Sequence, residues 1–285
     1  MRAETMHPKL TYNDLDWQQL WQNARVEKSW KAKNAQDWDK KAVSFASRNS
    51  DSPFAELVLQ RLPLDRDMSI LDAGSGPGTL SIPLAQKVRS VTALDYSQGM
   101  LDVLEELSRQ KKLTNITTVL GSWEDDWKKL GIGPHDICIA SRSLSVNNLK
   151  AALRKLNSYA RSYVFIADRI TPTPFDPGAF RAVGRPFHSG PDYIFTINTL
   201  YSMGIHPCID IISLDRETSF TDLETALDSY RWMLRDLSAE EEKELTTYIL
   251  ANSRPGKNGE LIVSRSHPPR WALIWWKKET CGQRQ

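Results

Sequence analysis

Between Ser69 and Thr79 the chain reads SILDAGSGPGT, and few local structures tolerate that order of residues. An apolar pair, Ile70 and Leu71, ends in Asp72. Gly74, Gly76 and Gly78 then fall at every second position, and a helix-like stretch, LSIPLAQKV, follows. This order predicts a buried parallel strand, a tight turn and a helix start, the arrangement by which a strand presents its carboxyl end to a nucleotide. The glycines have three physical uses there: positive φ in the turn, close approach of the backbone to a ligand, and close packing of helix on strand. The helix N-terminus adds free N–H groups beside the ligand. Taken alone, the same turn is also compatible with no ligand at all.

A second feature narrows the choice. The strand-like run Ser90 to Leu94 ends in Asp95, 17 residues beyond Gly78. That is near the spacing at which nucleotide folds place a carboxylate on ribose hydroxyls. YSQGMLDVLEEL continues as a cap and an amphipathic helix. The glycine spacing is Gly-x-Gly-x-Gly, not the Gly-x-Gly-x-x-Gly of dinucleotide dehydrogenases, and a second nucleotide-binding half is missing. With Asp72 two residues ahead of the first glycine, these segments resemble the class I S-adenosylmethionine-dependent methyltransferases. In that family ILDAGSGPG is the first cofactor motif and LDYSQGML the second, and the resemblance runs from roughly Asp37 to Asp168.

The resemblance implies an α/β fold: a Rossmann-like, doubly wound, mostly parallel sheet with a late antiparallel strand. It implies S-adenosyl-L-methionine as cofactor and S-adenosyl-L-homocysteine as product. By the same resemblance Asp72, Gly74, Gly76 and Gly78 surround the amino acid moiety, Asp95 takes the ribose hydroxyls, and Tyr96 and Met100 lie beside the adenine. It says nothing about the acceptor, because function resides in sites grafted on a fold.

A length of 285 residues allows one large α/β domain or a domain plus a cap. The segment up to residue 50 is polar, helix-prone and rich in tryptophan (Trp17, Trp21, Trp30, Trp38), and reads as an N-terminal helical cap (1–50) on a methyltransferase domain (51–285). Residues 1–9 read as a disordered end. Trp17 and Trp21, four apart, share a helix face and read as packing rings. The stretch WDKKAVSFA resembles the segment that many of these enzymes fold over the cofactor, which would put Trp38 and Phe45 in the wall of the methionine end and the substrate pocket. Ser52-Pro53 reads as a helix start.

Later strand ends carry less. ITTVL ends in GSWEDDW, where the family often has an acid holding the adenine amino group; this chain has Ser122 instead. Either Glu124 or Asp125 takes over, or backbone groups of Ser122 and Trp123 do, with Trp123 stacking on adenine. Trp123 and Trp127 as plain core residues is the other reading. DICIA ends in Ser141 and Arg142, which would border cofactor and substrate. The Asn/Asp-Pro-Pro-Tyr/Phe and Pro-Cys signatures of two nucleic-acid base methyltransferase classes are absent there. SYVFIAD ends at Asp168. The Pro/Gly-dense stretch that follows reads as a substrate-lid insertion at about 169–207, carrying Arg181, Arg185, Phe187 and His188. His188 is the histidine best placed for a general base, against the reading of an idle loop histidine. Two helices follow, Asp222 to Leu234 and Ala239 to Asn252. LIVSR and RWALIWW read as a closing hairpin or strand pair around HPP, with His267 idle in its turn.

The net charge of +2 gives no support to a nucleic-acid partner, although the cluster Lys28 to Lys41 keeps one open. Three scattered cysteines, Cys138, Cys208 and Cys281, argue against a disulfide framework or zinc site. No stretch has the length and apolarity of a membrane span, and none resembles a signal peptide, so a cytoplasmic location is expected. The resulting expectation is a methyltransferase acting on a small molecule, with no assigned catalytic base and a homodimer open. RNA or protein methylation, or a non-catalytic binding protein on the same fold, are the alternatives.

Overall fold

The protein is described by a computed structural model covering residues 11–30, 32–49 and 53–278. The expected disordered end (1–9), Ser52 of the expected helix start and Cys281 lie outside these residues. Among the described residues a 3-10 turn (Tyr12–Asp14) is followed by α1 (Trp17–Glu27), α2 (Ala35–Asp39), α3 (Ala42–Asn49) and α4 (Phe54–Leu59). The chain then alternates through β1 (Ser69–Ala73), α5 (Ser81–Ala85), β2 (Ser90–Asp95), α6 (Gln98–Gln110), β3 (Ile116–Leu120), β4 (His135–Ser141), α7 (Leu149–Tyr159) and β5 (Ala160–Arg169). The last part holds α8 (Pro177–Ala182), α9 (Tyr193–Ser202), β6 (Cys208–Ser213), β7 (Glu217–Phe220), α10 (Leu223–Leu234), α11 (Ala239–Ala251), β8 (Ser253–Pro255), β9 (Leu261–Ser264) and β10 (Arg270–Lys277).

Seven strands form one sheet in the order β3-β2-β1-β4-β5-β10-β6, and β10 alone runs opposite to the other six. Its central strands are apolar on both sides, as a sheet covered by helices on both faces requires. Ile70, Ile137, Ile139 and Phe165 pack under α4 and α5, whereas Leu71, Cys138, Val164 and Ile166 pack under α7 and α9. The period-2 alternation of these residues assigns them to opposite faces.

The end of the chain differs from the expected hairpin around HPP. β10 inserts between β5 and β6 of the main sheet, while β9 pairs with β7 and β8 in a separate three-stranded sheet. The run RWALIWWK gains two ladders and near-complete burial there, which a local hairpin would not provide. The excursion between β6 and β10 is therefore a lobe with its own core, in which Phe220, Leu227, Tyr230, Leu245 and Val263 meet Phe180 of α8. The two helices read as part of the main domain belong to this lobe. Its neck is narrow: Ser213 pairs with Arg270, and the Leu214 N–H donates to the Pro269 carbonyl at 2.9 Å.

The expected lid insertion divides in two. Residues 170–187 run into the lobe through α8, while α9 packs on α1, α7 and β5 as part of the main body. The lobe is fastened by buried Asp176, which accepts hydrogen bonds from the Tyr248 hydroxyl (2.9 Å), the Tyr230 hydroxyl (3.2 Å) and the Ser266 hydroxyl (3.1 Å). Arg185 clamps it from outside, donating to Glu241 and to the carbonyls of Leu234, Arg235 and Asp236 at the end of α10. The N-terminal segment is fastened separately: the Asp39 carboxylate accepts from the Ser97 hydroxyl (2.6 Å) and the Gly99 N–H (2.9 Å) at the start of α6. These bonds hold Asp39 below the usual carboxylate range.

Candidate functional site

The glycine turn sits at the carboxyl end of β1 and opens one side of a cavity of about 280 Å³. Gly78 has positive φ, and a side chain there would collide with Leu104 of α6. At Gly74 it would collide with Ser143. Gly76 is different: its φ is +54°, and a Cβ would meet no atom within 4 Å, so this glycine faces open space. Two glycines serve packing, and one leaves bare backbone toward the cavity.

Asp72 is 1% exposed. One carboxylate oxygen accepts from the Ser81 hydroxyl at 2.7 Å, while the other, Oδ1, has no partner among the described residues. Burial, which disfavours the charged form, pushes the group up to about 6, against the lowering effect of Ser81. Ser141 Oγ is likewise buried and unpartnered. Asp95 ties the loop to α6, accepting from the Gly76 N–H (2.8 Å) and the Ser97 N–H (2.9 Å), and burial raises its pKa. Each carboxylate oxygen has a second lone pair, so Asp95 keeps acceptor capacity.

Tyr96 and Met100 line the same cavity, as do Ser122, Trp123 and Glu124. Trp123 donates to the Ser143 carbonyl at 3.2 Å and tilts against Trp127, which is buried core. Asp125 does not line the cavity: its carboxylate accepts from the Ser122 N–H and hydroxyl and holds the turn.

A second cavity of about 1110 Å³ lies against the first, between the N-terminal helices, the carboxyl end of the main sheet and the lobe. The two share Lys33, Trp38, Phe45, Tyr96, Arg142 and Ser145. Trp38 stands edge-on to Phe45 at 5.6 Å and to Trp232 of the lobe at 5.3 Å. Arg142 follows the end of β4 with φ +59°, its N–H held by the Ala167 carbonyl at 2.8 Å. Its guanidinium lies among Phe54, Trp271 and Phe45, at 4.6, 5.5 and 5.8 Å from the ring centres. No carboxylate lies within ion-pair distance of it among the described residues, and burial lowers its pKa to about 10 against the opposing charge of Asp72.

Other expected residues stand elsewhere. Arg185 borders the larger cavity, but its donors are spent on the lobe. His188 is exposed and lines neither cavity; its backbone only bonds Ser29. Arg181 is exposed on α8, and Phe187 packs in the lobe core. Sequence reasoning missed Lys28, Trp30, Lys33, Arg169, Trp232 and Trp271, all of which line the larger cavity. For the first three a signal existed: cations and rings interleave from Lys28 to Trp38. That cluster was weighed as a nucleic-acid surface, yet Lys28 and Lys33 face the cavity and Lys41 pairs with Asp228 at 2.8 Å.

No group of three or more His, Cys, Asp or Glu side chains suited to a metal occurs among the described residues, and no helix there is long and apolar enough to cross a membrane.

Comparison with known proteins gives four further findings. The profile of a family described as "Methyltransferase domain" matches residues 70–163. An uncharacterized protein of Haemophilus influenzae is 36% identical over 248 residues, covering 84% of this chain and 88% of that protein. An (S)-coclaurine N-methyltransferase of Thalictrum flavum subsp. glaucum is 36% identical over 67 residues, 23% of this chain and 19% of that enzyme. Among solved structures, the YcgJ protein of Bacillus subtilis superposes with a TM-score of 0.54 at 16% identity, covering 79% of this chain and 98% of that one, a likeness of fold.

Proposed function

Since the chain belongs to the class I S-adenosylmethionine-dependent methyltransferases, we propose that it binds S-adenosyl-L-methionine in the smaller cavity and methylates a small molecule held in the larger one. The observation that carries this reading is the rim the two cavities share, where a donor and an acceptor would meet. The short match to an enzyme named for N-methylation of coclaurine is in keeping with a small acceptor.

The residues of the smaller cavity suit the cofactor. The orphaned Asp72 Oδ1 needs a donor, and an ammonium group supplies one with its charge. Asp95 has acceptor capacity for hydroxyls, and the bare backbone at Gly76 admits close approach. Tyr96, Met100 and Trp123 offer a ring, a thioether and a second ring to a flat base. Ser122 or Glu124 would take its amino group, and Ser141 would border the methionine end.

A bound sulfonium donor supplies an activated methyl group together with its own leaving group. What remains for the protein is to hold acceptor and donor in line and to exclude water. Trp38 and Phe45 wall the junction, and the lobe closes over it through Trp232. His188, exposed and outside both cavities, takes no part in this reading. Calorimetric titration with S-adenosylhomocysteine and with NAD tests the proposal: binding of the first and not the second is expected. Binding of NAD alone, or of neither, would refute it.

A further inference from the structure

The larger cavity is lined by more cations than its own acids neutralise. Arg185 and Arg235 are paired with Glu241 and Asp37. Arg25, Lys28, Lys33, Arg142 and Arg169 line the cavity with no carboxylate within ion-pair distance among the described residues. The acids whose charge reaches Arg25 and Arg169 lie beyond ion-pair distance: Glu124 faces Arg25, Asp192 accepts from Thr171 and the Ile194 N–H, and Asp168 accepts from the Thr196 hydroxyl at 2.6 Å and the Arg169 backbone N–H at 2.8 Å.

These charges sit on rings. The Lys28 ammonium lies 4.0 Å from the centre of Trp30, and the Arg169 guanidinium lies 4.8 Å from the same ring. Arg25 donates once to Asn147 at 2.8 Å, but its Nε is buried and unpartnered. Lys28 makes no hydrogen bond among the described residues. Like charges gathered in a partly dry space repel unless an anion joins them. Trp30 holds Lys28 and Arg169 without neutralising them, and the Arg169 guanidinium is fixed further by donating to the neutral Pro191 carbonyl, from Nε at 2.7 Å.

From this arrangement we infer that the acceptor is a small anion, a carboxylate or phosphate on an aromatic or apolar body, whose charged group docks on Lys28, Arg25 and Arg169 while its body lies along the tryptophans toward Arg142. The inference rests on the acceptor reading of the larger cavity given above. An ammonium-bearing acceptor would meet like charge. In support, burial first, and then the neighbouring cations Arg25 and Arg169, lower Lys28 to about 8; an anion would reverse that shift.

The test uses three ligands on one ring, indole-3-acetate, indole-3-ethanol and tryptamine, titrated into the full-length protein saturated with S-adenosylhomocysteine. Phenylacetate and phenyl phosphate separate the two anion classes. Indole-3-acetate is expected to bind tightest and to weaken with salt. Lys28→Gln should weaken it roughly ten- to a hundredfold, the range for losing a charged hydrogen bond, and Lys28→Arg should retain it. Equal affinity across the three indoles, preference for tryptamine, no binding by any probe, or an unaltered Lys28→Gln would overturn the inference. So would displacement of indole-3-acetate by lower concentrations of a short single-stranded RNA, which would point to a nucleic acid. S-adenosylhomocysteine titrated into the same samples keeps the two readings apart. Binding of that ligand without anion preference defeats only this inference, and anion preference without it defeats only the cofactor assignment.

Discussion

Replacing Asp72 by asparagine isolates the charge of one buried carboxylate. The amide oxygen can still accept from Ser81, and the amide nitrogen takes the place of the orphaned Oδ1. In the ligand-free protein the folded-state pKa is raised from 3.8 to about 6. Stability from this group is therefore full below the unfolded value and is lost as pH rises through about 6. The gap amounts to about 3 kcal/mol above that pH, which Asp72→Asn should largely recover. Thermal melts above pH 6 should then show the variant at least as stable as the parent. Binding should respond in the opposite sense. An ammonium on Oδ1 contributes about 1.5–3 kcal/mol, so Asp72→Asn should raise the dissociation constant of S-adenosylhomocysteine roughly ten- to a hundredfold. In the parent, affinity should fall as pH drops below about 6, because the carboxyl must first lose a proton. In the variant that dependence should disappear. Calorimetry across pH 5 to 8 reads both effects on the scale where one unit is about 1.4 kcal/mol. A variant that binds with parental affinity and parental pH profile refutes the assignment of Asp72 to the cofactor ammonium.

Gly76→Val should abolish S-adenosylhomocysteine binding at a folding cost of about 1–2 kcal/mol for the left-handed backbone, since the added Cβ meets no protein atom within 4 Å; retained binding in calorimetry would mean the ligand does not approach there. Ser97→Ala removes the cap on Met100 N and a tie to Asp39, and should cost about 1 kcal/mol in chemical denaturation while speeding ligand release. Asp176→Ala leaves two tyrosine hydroxyls without their acceptor and should lower lobe stability by about 2–4 kcal/mol, seen as faster amide exchange in α10 and α11 with β1 to β4 unchanged. Asp95→Ala should weaken S-adenosylhomocysteine binding, and unchanged affinity by calorimetry would remove Asp95 from the site.

The half of the molecule that carries the glycine turn was legible because its signals are local. SILDAGSGPGT and VTALDYSQGM each hold a strand, a turn and a helix start within a dozen residues, and the fold follows from repeating that unit. The larger cavity was legible only in its Lys28 to Trp38 wall, because the rest is assembled from distant segments. Trp38 meets Trp232, and the Trp30 ring meets Arg169 as well as Lys28; no period or motif links Trp232 or Arg169 to that wall. The hairpin expected around HPP went astray for the same reason, since local proximity of two apolar runs lost to burial of β10 between two strands. His188 looked promising as a residue type in a loop on the ligand side. The structure leaves it exposed, with its backbone bonded to Ser29, far back in the chain.

The neck at Leu214 and Pro269 makes the molecule divisible. Because one backbone hydrogen bond already joins the two ends of the excursion, cutting out 215–268 and closing it with a short turn would leave β6 and β10 as an ordinary antiparallel hairpin. The remaining chain would keep every strand of the main sheet and the whole glycine turn, while losing Trp232 and one wall of the larger cavity and uncovering Phe180 and Phe187. No residue of 215–268 lines the smaller cavity, so a different segment sewn in at that seam would rebuild a wall of the larger cavity and leave the lining of the smaller one in place.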